Sequence, residues 1–255
     1  MQVVILAGGL GTRMEDLTKN IPKPMLKIGG IPIILHLMNY FANFGHTNFV
    51  IALGNEGYEL KNFFLNLNSH LYDIEIDFKS DKIKYINSDL KSWNVKLIDT
   101  GLNSETGGRI KNLSSHLDDE FLLTYGDGLS NIDLNKLLES HKKSKLELTI
   151  SAVHMPNRFG VIRSINKELS FEEKIIDPNL RINGGFMVCD KKVLKFIENQ
   201  SDSFEDAVIS KLAKDQQLNI FLHDGFWACM DTPKDKLFLD NLFKNGNAPW
   251  IVGQL

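Results

Sequence analysis

The chain has 255 residues, of which 43% are hydrophobic and 24% are charged, as is typical of a soluble globular protein with a sizeable core. Its formal net charge of -3 argues against a dedicated nucleic-acid-binding protein, which usually carries a basic surplus. No apolar run approaches the roughly 20 residues of a membrane span, and the start lacks the basic region of a secretory signal. Two cysteines, Cys189 and Cys229, are too few for a disulfide framework or a four-thiolate zinc site. We therefore expect a cytoplasmic enzyme with no nucleic-acid or membrane partner.

In chain order, apolar runs of strand length alternate with amphipathic helix-length segments through the first 150 residues. The predicted strands cover residues 3–7, 49–53, 95–98, 121–125 and 148–153, and the predicted helices cover residues 32–44, 56–67 and 134–142. This alternation predicts an α/β fold in which a mostly parallel, Rossmann-like sheet is covered by helices on both faces.

Two segments depart from this alternation. Residues 72–91 alternate like a hairpin. Beyond about residue 155 the predicted strands are short, at 159–163, 169–172 and 185–189, and predicted helices follow at 191–199 and 204–214. No linker interrupts the chain, so we predict one domain over residues 1–255. It has a core at about 1–155, and a smaller β-rich lobe with a C-terminal helix at about 156–255.

The first predicted strand leads directly into a glycine-rich run, residues 8–13 (GGLGTR). Glycines allow backbone N–H groups to face an anion at close range, and Arg13 adds a planar cation suited to phosphate oxygens. A tight strand-to-helix turn is the plainer interpretation of such a run. A dinucleotide-binding fold does not fit, because Met14 stands where the third glycine belongs and no acidic residue occupies the ribose position.

The continuation of this run distinguishes between these interpretations. Residues 11–13 (GTR), followed by residues 22–25 (PKPM), resemble the signature of the sugar-phosphate nucleotidylyltransferases. The acidic segment of that family matches residues 126–128 (GDG), which follow a predicted strand. Further segments resemble the glucose-1-phosphate cytidylyltransferase branch of the family, at residues 93–101, 106–109, 182–186, 225–227 with 230–232, and 235–236 with 246–250.

Two departures from the family pattern lie in the second half of the chain, in the predicted lobe that would bind the sugar. Glu173 and Lys174 are followed by Ile175 rather than by proline, and Val208 and Ile209 stand where the family has Pro-Leu. These changes leave nucleotidyl transfer intact and leave the identity of the sugar open.

The resemblance implies a Mg²⁺-dependent reaction in which CTP and glucose 1-phosphate give CDP-glucose and pyrophosphate. It assigns catalysis to two cations, Arg13 and Lys23, and the metal to two carboxylates, Asp127 and Asp231. The nucleotide-binding residues that it assigns are Leu6, Ala7, Gly8, Gly9, Gly11, Thr12, Arg13, Lys23, Thr106, Gly107 and Arg109. The residues that it assigns to the sugar phosphate, in the β-rich lobe, are Gly160, Glu173, Lys174, Asn183, Gly184 and Trp227.

Several of these residues also have a structural interpretation. Asp231 fits the N-cap of a helix that begins near Thr232, Arg109 fits the start of a helix with an ion pair on the surface, and Trp227 fits the core. We expect the two carboxylates to meet because both follow strands whose carboxyl ends share one edge of the sheet. We expect both cysteines to be small core residues.

Two alternative functions remain open on the sequence. One keeps the fold and chemistry but uses another sugar phosphate or another nucleotide, as a guanylyl- or thymidylyltransferase does. The other is a non-catalytic nucleotide-sensing or assembly subunit, which has no need to keep Arg13, Lys23, Asp127 and Asp231 together. The family also implies a homo-oligomer, a hexamer by precedent, and we expect residues 72–91 to form part of the interface.

Overall fold

The structure is a computed structural model that describes residues 1–9, 11, 14, 18, 21–86, 91–154, 161–165, 168–172 and 180–253. The strands of this part of the chain are β1 (Gln2–Leu6), β2 (Lys27–Ile28), β3 (Ile31–Pro32), β4 (Asn48–Leu53), β5 (Asp73–Asp77), β6 (Lys82–Ile86), β7 (Asn94–Asp99), β8 (Glu120–Tyr125), β9 (Gly128–Ser130), β10 (Leu148–His154), β11 (Val161–Ile165), β12 (Glu168–Glu172), β13 (Arg181–Asp190), β14 (Leu218–His223) and β15 (Trp227–Cys229). Its α-helices are α1 (Ile33–Asn43), α2 (Gly57–Leu65), α3 (Leu67–Leu71), α4 (Thr106–Asn112), α5 (Leu134–Ser144), α6 (Ser210–Lys214) and α7 (Pro233–Lys244). Shorter turns are 3-10 helical at Lys23–Met25, Ser114–His116 and Lys191–Phe196, and π-helical at Glu205–Ile209.

Seven of the described strands form one sheet in the order β14-β10-β13-β8-β1-β4-β7. Within it, β1 is parallel to β4 and β8, β4 to β7, and β10 to β14. Strand β13 runs antiparallel to both of its neighbours. The carboxyl ends of the parallel strands therefore meet at one edge, which is where ligands bind in open α/β sheets. The expected α/β fold, with its mostly parallel sheet, is confirmed.

Both faces of the sheet are covered by helices because the central strands are apolar on both sides. In β1, Val3 and Ile5 pack into one core with residues of α1, whereas Val4 packs into a second core with residues of α4 and α6. Helix α1 presents Ile34, Leu37, Met38 and Phe41 to the first core at the spacing that the sequence predicts. Burial of each such side chain contributes about 1.5–3 kcal/mol.

A third apolar cluster holds the C-terminal segment in place. Leu239 of α7 and Trp250 are fully buried in it against Leu129 and Met230. The Trp250 indole also donates a hydrogen bond to Nδ1 of His36 at 3.2 Å. This cluster positions the segment that carries Asp231 against the sheet. None of the helices within the described ranges is both long and apolar enough to cross a membrane.

Several predicted elements differ from those observed. The helix predicted at 56–67 ends at Leu65, and α3 follows after Asn66. The helix predicted at 191–199 is a 3-10 turn, and the one predicted at 204–214 begins with a π-helical turn. Strands β13 and β14 lie beyond residue 155 but belong to the main sheet. Of the expected β-rich lobe, the described residues show the β11–β12 hairpin outside the main sheet.

Helix α4 begins at Thr106, before the possible helix start at Arg109, although its first turn contains a glycine pair, which normally signals a turn. A Cβ atom on Gly107 would lie 2.6 Å from the carbonyl oxygen of Asp202, and one on Gly108 would collide with the backbone of Gln200. The glycines therefore allow the helix to pack closely against the loop that precedes the π-helical turn.

Candidate active site

A cavity of about 550 Å³ opens at the edge where the carboxyl ends of the parallel strands meet. Its walls come from the segments that follow β1, β7 and β8, from the start of α4, and from the segments around Lys23 and Asp231. Of the residues that the sequence assigned to the nucleotide, those that line the cavity are Leu6, Ala7, Gly8, Gly9, Gly11, Lys23, Thr106 and Arg109. Asp127 and Asp231 line it as well.

The remaining assigned residues fall into two groups. Gly107 is buried in α4 behind the cavity wall and is not among the lining residues. Asn183, Gly184 and Trp227 are not among them either. The other five assigned residues, which are Thr12, Arg13, Gly160, Glu173 and Lys174, lie outside the described residues.

The glycine-rich run leaves β1 at the floor of the cavity. Gly11 has a φ of +65°, which a residue with a side chain rarely adopts. A Cβ on Gly8 would collide with the guanidinium of Arg109, whereas one on Gly9 would meet no atom within 4 Å. The run therefore exposes backbone on one side and packs tightly on the other, as expected where a backbone faces an anion.

Arg109 is a buried part of this floor rather than a surface residue. It is 5% exposed, and its guanidinium donates to the carbonyl oxygens of Leu53 at 3.2 Å, Gly101 at 2.7 Å and Leu102 at 3.1 Å. It also donates to Oγ1 of Thr100 at 3.0 Å. Burial lowers the pKa of Arg109 from its usual value, although Glu105 and Asp99 counteract the shift. Arg109 thus ties the end of β4 to the loop that follows β7.

Lys23 lies between the two predicted metal ligands. Its ammonium donates to Oδ2 of Asp127 at 2.5 Å and to Oδ1 of Asp231 at 2.7 Å, and the three side chains are 14%, 23% and 27% exposed. Burial alone lowers the pKa of Lys23, but the charges and hydrogen bonds of the two carboxylates outweigh it and raise the pKa to about 12. The ammonium therefore stays charged throughout the neutral range.

Two prolines and a glycine bring Lys23 to this position. Pro22 and Pro24 flank it in a single 3-10 turn, and their fixed φ angles restrict the backbone there. Gly126 packs against Pro24, since a Cβ on Gly126 would lie 3.0 Å from the carbonyl oxygen of Leu6 and 3.1 Å from Cγ of Pro24. Asp127 follows directly and so reaches the Lys23 ammonium.

Asp231 reaches the same point by a different route from the one expected. Strand β15 is not part of the main sheet; it pairs antiparallel with β9, and Cys229 lies opposite Gly128. The N–H of Met230 donates to the carbonyl oxygen of Asp127 at 2.9 Å. The N-cap of α7 is Thr232, which forms a capping box with Asp235, so the alternative N-cap role of Asp231 does not hold.

The donor set fits a hard divalent cation. One oxygen each of Asp127 and Asp231 and the Cys229 sulfur lie within 4.8 Å of one another. Carboxylate oxygens are the ligands that Mg²⁺ prefers in proteins. Burial and the two nearby carboxylates raise the pKa of the Cys229 thiol well above its usual value, so it remains a neutral neighbour of the carboxylates. In this structure a positive group, the Lys23 ammonium, bridges the carboxylates of Asp127 and Asp231.

Of the residues predicted for the sugar, the structure describes Asn183, Gly184 and Trp227, and Asn183 contacts Tyr125 of the cavity wall. The side chain of Asn183 donates to the hydroxyl of Tyr125 at 3.4 Å and accepts from the N–H of Gly185 at 2.9 Å. The indole N–H of Trp227 donates to the carbonyl oxygen of Gly184 at 2.7 Å. The Trp227 ring is partly buried against the first core, as its structural interpretation requires.

The sequence analysis did not assign two of the segments that line the cavity. Tyr125 lines it at the end of β8, and residues 102–105 line it between β7 and α4. Neither forms a recognisable motif in the sequence. The available signal is positional, since both follow strands whose carboxyl ends reach this edge.

The sequence matches the nucleotidyl transferase family over residues 2–237, which is most of the chain. The chain belongs to the nucleotidyl transferase family. Glucose-1-phosphate cytidylyltransferase of Salmonella typhi is 38% identical over 253 residues and aligns with 98% of each chain. Probable glucose-1-phosphate cytidylyltransferase of Bacillus subtilis is 34% identical over 99% of this chain and all of its own. These relatives confirm the resemblance inferred from the motifs.

Solved structures support the same fold. HddC from Yersinia pseudotuberculosis superimposes with a TM-score of 0.68 at 25% identity, over 95% of this chain and 99% of that one. A second structure of HddC, with the same TM-score, is a complex with GMP-PN. The family match and the curated relatives together identify the protein as a sugar-phosphate nucleotidyltransferase, which confirms the predicted enzyme class.

Proposed function

We propose that this nucleotidyltransferase transfers the cytidylyl group of CTP to glucose 1-phosphate, giving CDP-glucose and pyrophosphate. A phosphate oxygen of the sugar phosphate attacks the α-phosphorus of CTP. The bond between that phosphorus and the oxygen bridging to the β-phosphate breaks, and pyrophosphate leaves with the electron pair. The observation that carries the choice of substrates is the identity of 38% over 98% of the chain with a relative named for this reaction.

The main obstacle to this reaction is electrostatic, because two anions must approach each other in line. The attacking oxygen is already anionic, so no side chain has to act as a nucleophile. The chain has to position both substrates and to neutralise charge that develops at the α-phosphate. The cavity meets this need with a backbone lining at Gly8 and Gly9 and a cation at Lys23.

The described residues divide this work. Backbone groups of residues 6–9 and Gly11 hold the nucleotide. Asp127 and Asp231 would hold Mg²⁺, which when bound neutralises phosphate charge. Lys23 neutralises the two carboxylates before substrate arrives and then binds phosphate oxygens. Arg109 keeps the floor in shape through its bonds to carbonyl oxygens.

The family resemblance supplies the rest of the proposal. Arg13 would bind the pyrophosphate portion and Lys174 the sugar phosphate, whereas Glu173, Asn183 and Gly184 would contact sugar hydroxyls. Asn183 lies next to Tyr125 of the cavity wall, which supports its place in a sugar subsite.

One assay matrix tests this proposal. Pyrophosphate release is measured with each of the four nucleoside triphosphates crossed against a panel of sugar 1-phosphates. We expect CTP with glucose 1-phosphate to give the highest kcat/KM. A higher value with GTP or dTTP, or with another sugar phosphate, would leave the enzyme class intact and overturn the choice of substrates.

The first specific prediction concerns the base. Cytosine presents an amino donor where uracil presents a carbonyl acceptor, so a site lined by fixed backbone groups leaves a buried group unpaired with the wrong base. Such a mismatch costs about 1–3 kcal/mol. We therefore expect kcat/KM for CTP to exceed that for UTP by roughly 10- to 100-fold, and purine triphosphates to be worse. Equal kcat/KM values for CTP and UTP in the same assay would contradict the predicted preference for cytosine.

The proposed enzyme is also a homo-oligomer that uses the β5–β6 hairpin. The register places Ile74 opposite Tyr85 and Ile76 opposite Ile83, so these four side chains share one face. The three isoleucines are 40–57% exposed, and Phe78 at the turn is 89% exposed. A two-stranded ribbon is marginally stable alone, and a second copy of the chain would cover its apolar face.

Substitution Ile76→Asp is therefore expected to reduce the oligomer to a smaller species without unfolding the subunit. Light scattering coupled to gel filtration, at equal protein concentrations, measures the mass. Glu75→Ala, on the opposite face of the same strand, is the matched control and should leave the mass unchanged. A wild-type monomer, or an unchanged mass for Ile76→Asp, would remove the hairpin from the interface.

A further inference from the structure

The carboxylate of Glu205 lies directly behind the cavity and joins two of its walls. Its Oε2 accepts a hydrogen bond from the hydroxyl of Thr106 at 2.8 Å, and its Oε1 accepts one from the hydroxyl of Tyr125. Thr106 begins α4 and Tyr125 ends β8, and both line the cavity. Glu205 does not line the cavity itself.

The backbone around Glu205 fixes this carboxylate. Glu205 begins the π-helical turn Glu205–Ile209, a geometry that occurs often at functional sites. Phe204 and Val208 on either side are fully buried in the second core. The N–H of Phe204 donates to Oγ1 of Thr106 at 2.8 Å, so the turn is bonded to Thr106 twice.

The hydrogen bonds continue from Glu205 through Tyr125 to Asn183, which lies outside the cavity lining. The hydroxyl of Tyr125 donates to Glu205 and accepts from the side chain of Asn183. A carboxylate can only accept, so it orients the hydroxyl protons of both Thr106 and Tyr125 toward itself. The chain of bonds Thr106–Glu205–Tyr125–Asn183 thus runs from the nucleotide side to the sugar side.

The protonation of Tyr125 is consistent with this orientation. Burial, together with the charge and hydrogen bond of Glu205, raises the pKa of Tyr125 well above its usual value. The Tyr125 hydroxyl therefore keeps its proton at any pH at which the enzyme would be assayed.

We propose that Glu205 is a positioning residue. Its carboxylate holds the side chains of Thr106 and Tyr125 in fixed positions relative to each other, and so sets the affinity for both substrates. The inference rests on the proposed function, because it takes Thr106 to lie on the nucleotide side and Asn183 on the sugar side. Because Glu205 does not line the cavity, its removal should change binding more than the chemical step.

The test compares Glu205→Ala, Glu205→Gln and Asp206→Ala. Asp206 is the adjacent acidic residue, which bonds the exposed Ser203 hydroxyl instead, and its removal is the matched control. Loss of hydrogen bonds to a charged acceptor predicts a fall of about 10- to 100-fold in kcat/KM for Glu205→Ala. The KM for CTP and the KM for glucose 1-phosphate should both rise, with kcat less affected. Glu205→Gln keeps one acceptor and should restore part of the loss, whereas Asp206→Ala should resemble wild type.

A double-mutant cycle separates positioning from general stability. If Tyr125 acts through Glu205, Glu205→Ala combined with Tyr125→Phe should cost little more than Glu205→Ala alone. Multiplicative effects, or KM values for Glu205→Ala within about twofold of wild type, would overturn the proposal. Thermal unfolding of each variant identifies any loss that comes from folding.

Calorimetric titration with the triphosphate that the wild-type enzyme prefers keeps the two proposals distinguishable. It requires no turnover, so weaker binding by Glu205→Ala supports the role of Glu205 even if the wild-type enzyme rejects CTP or glucose 1-phosphate. Unchanged binding by Glu205→Ala would overturn that role even if the wild-type enzyme makes CDP-glucose.

Discussion

Asp127→Ala is expected to lower kcat by at least roughly 10³-fold while the protein stays folded. In the proposed reaction Asp127 would hold Mg²⁺, which when bound would stabilise charge that grows in the transition state, and loss of that contribution is worth several kcal/mol. The residue lies at the cavity edge, 23% exposed, so its removal leaves the core of the sheet intact. Steady-state kinetics at saturating Mg²⁺ measure the loss of kcat, and circular dichroism tests whether the variant stays folded.

A matched control for Asp127, which follows β8, is available just before the start of β8. Asp118 is exposed just before β8, and Asp118→Ala should leave kcat unchanged. Asp231→Asn should behave like Asp127→Ala, with a larger rise in the Mg²⁺ concentration needed for half-maximal rate. More than a tenth of the wild-type activity in Asp127→Ala would show that the carboxylate does not hold the metal.

Lys23→Ala is expected to have the second largest effect, a loss of about 100-fold in kcat/KM for CTP. Hydrogen bonds to charged groups contribute about 1.5–3 kcal/mol each, and Lys23 makes two of them with Asp127 and Asp231. Without the ammonium, the two carboxylates would face the triphosphate without the cation that lies between them in the structure. The loss should therefore appear in the rate or in the KM for CTP rather than in the KM for glucose 1-phosphate.

The same measurement made with two other lysines tests the assignment of Lys23 to the triphosphate. Lys27, exposed on β2, is the control, and Lys27→Ala should resemble wild type. The family resemblance assigns Lys174 to the sugar phosphate, so Lys174→Ala should raise mainly the KM for glucose 1-phosphate. Equal effects of Lys23→Ala and Lys174→Ala on both substrates would remove this division of roles.

Local pattern was enough to predict most of the central sheet and its first helix. The apolar spacing of α1 and the buried run of β1 each depend on neighbours a few residues away, so periodicity records them. The glycine run and the PKPM segment are also recognisable locally, because the residues that define each motif lie within a few positions of one another. The family, and with it the class of reaction, followed from these short segments.

Long-range contacts decided what local pattern could not. Asp231 joins Asp127 because β15 pairs with β9, a contact between strands of three residues each that leave no periodic signal. Gly107 and Gly108 look like a turn in the sequence, yet they start a helix because the backbone at Gln200 and Asp202 packs against them.

The sequence by itself determined the α/β class and the family, since both follow from residue type and short spacing, and it proposed the phosphate-binding run and the catalytic side chains through the family resemblance. Only the tertiary structure decided which of them meet. Arg109 is tied to Leu53 and Gly101, and Glu205 to Thr106 and Tyr125. The physical reason is that a side chain selects its partners among groups brought together by packing of the whole chain, and the spacing of residues along the sequence does not encode those distances.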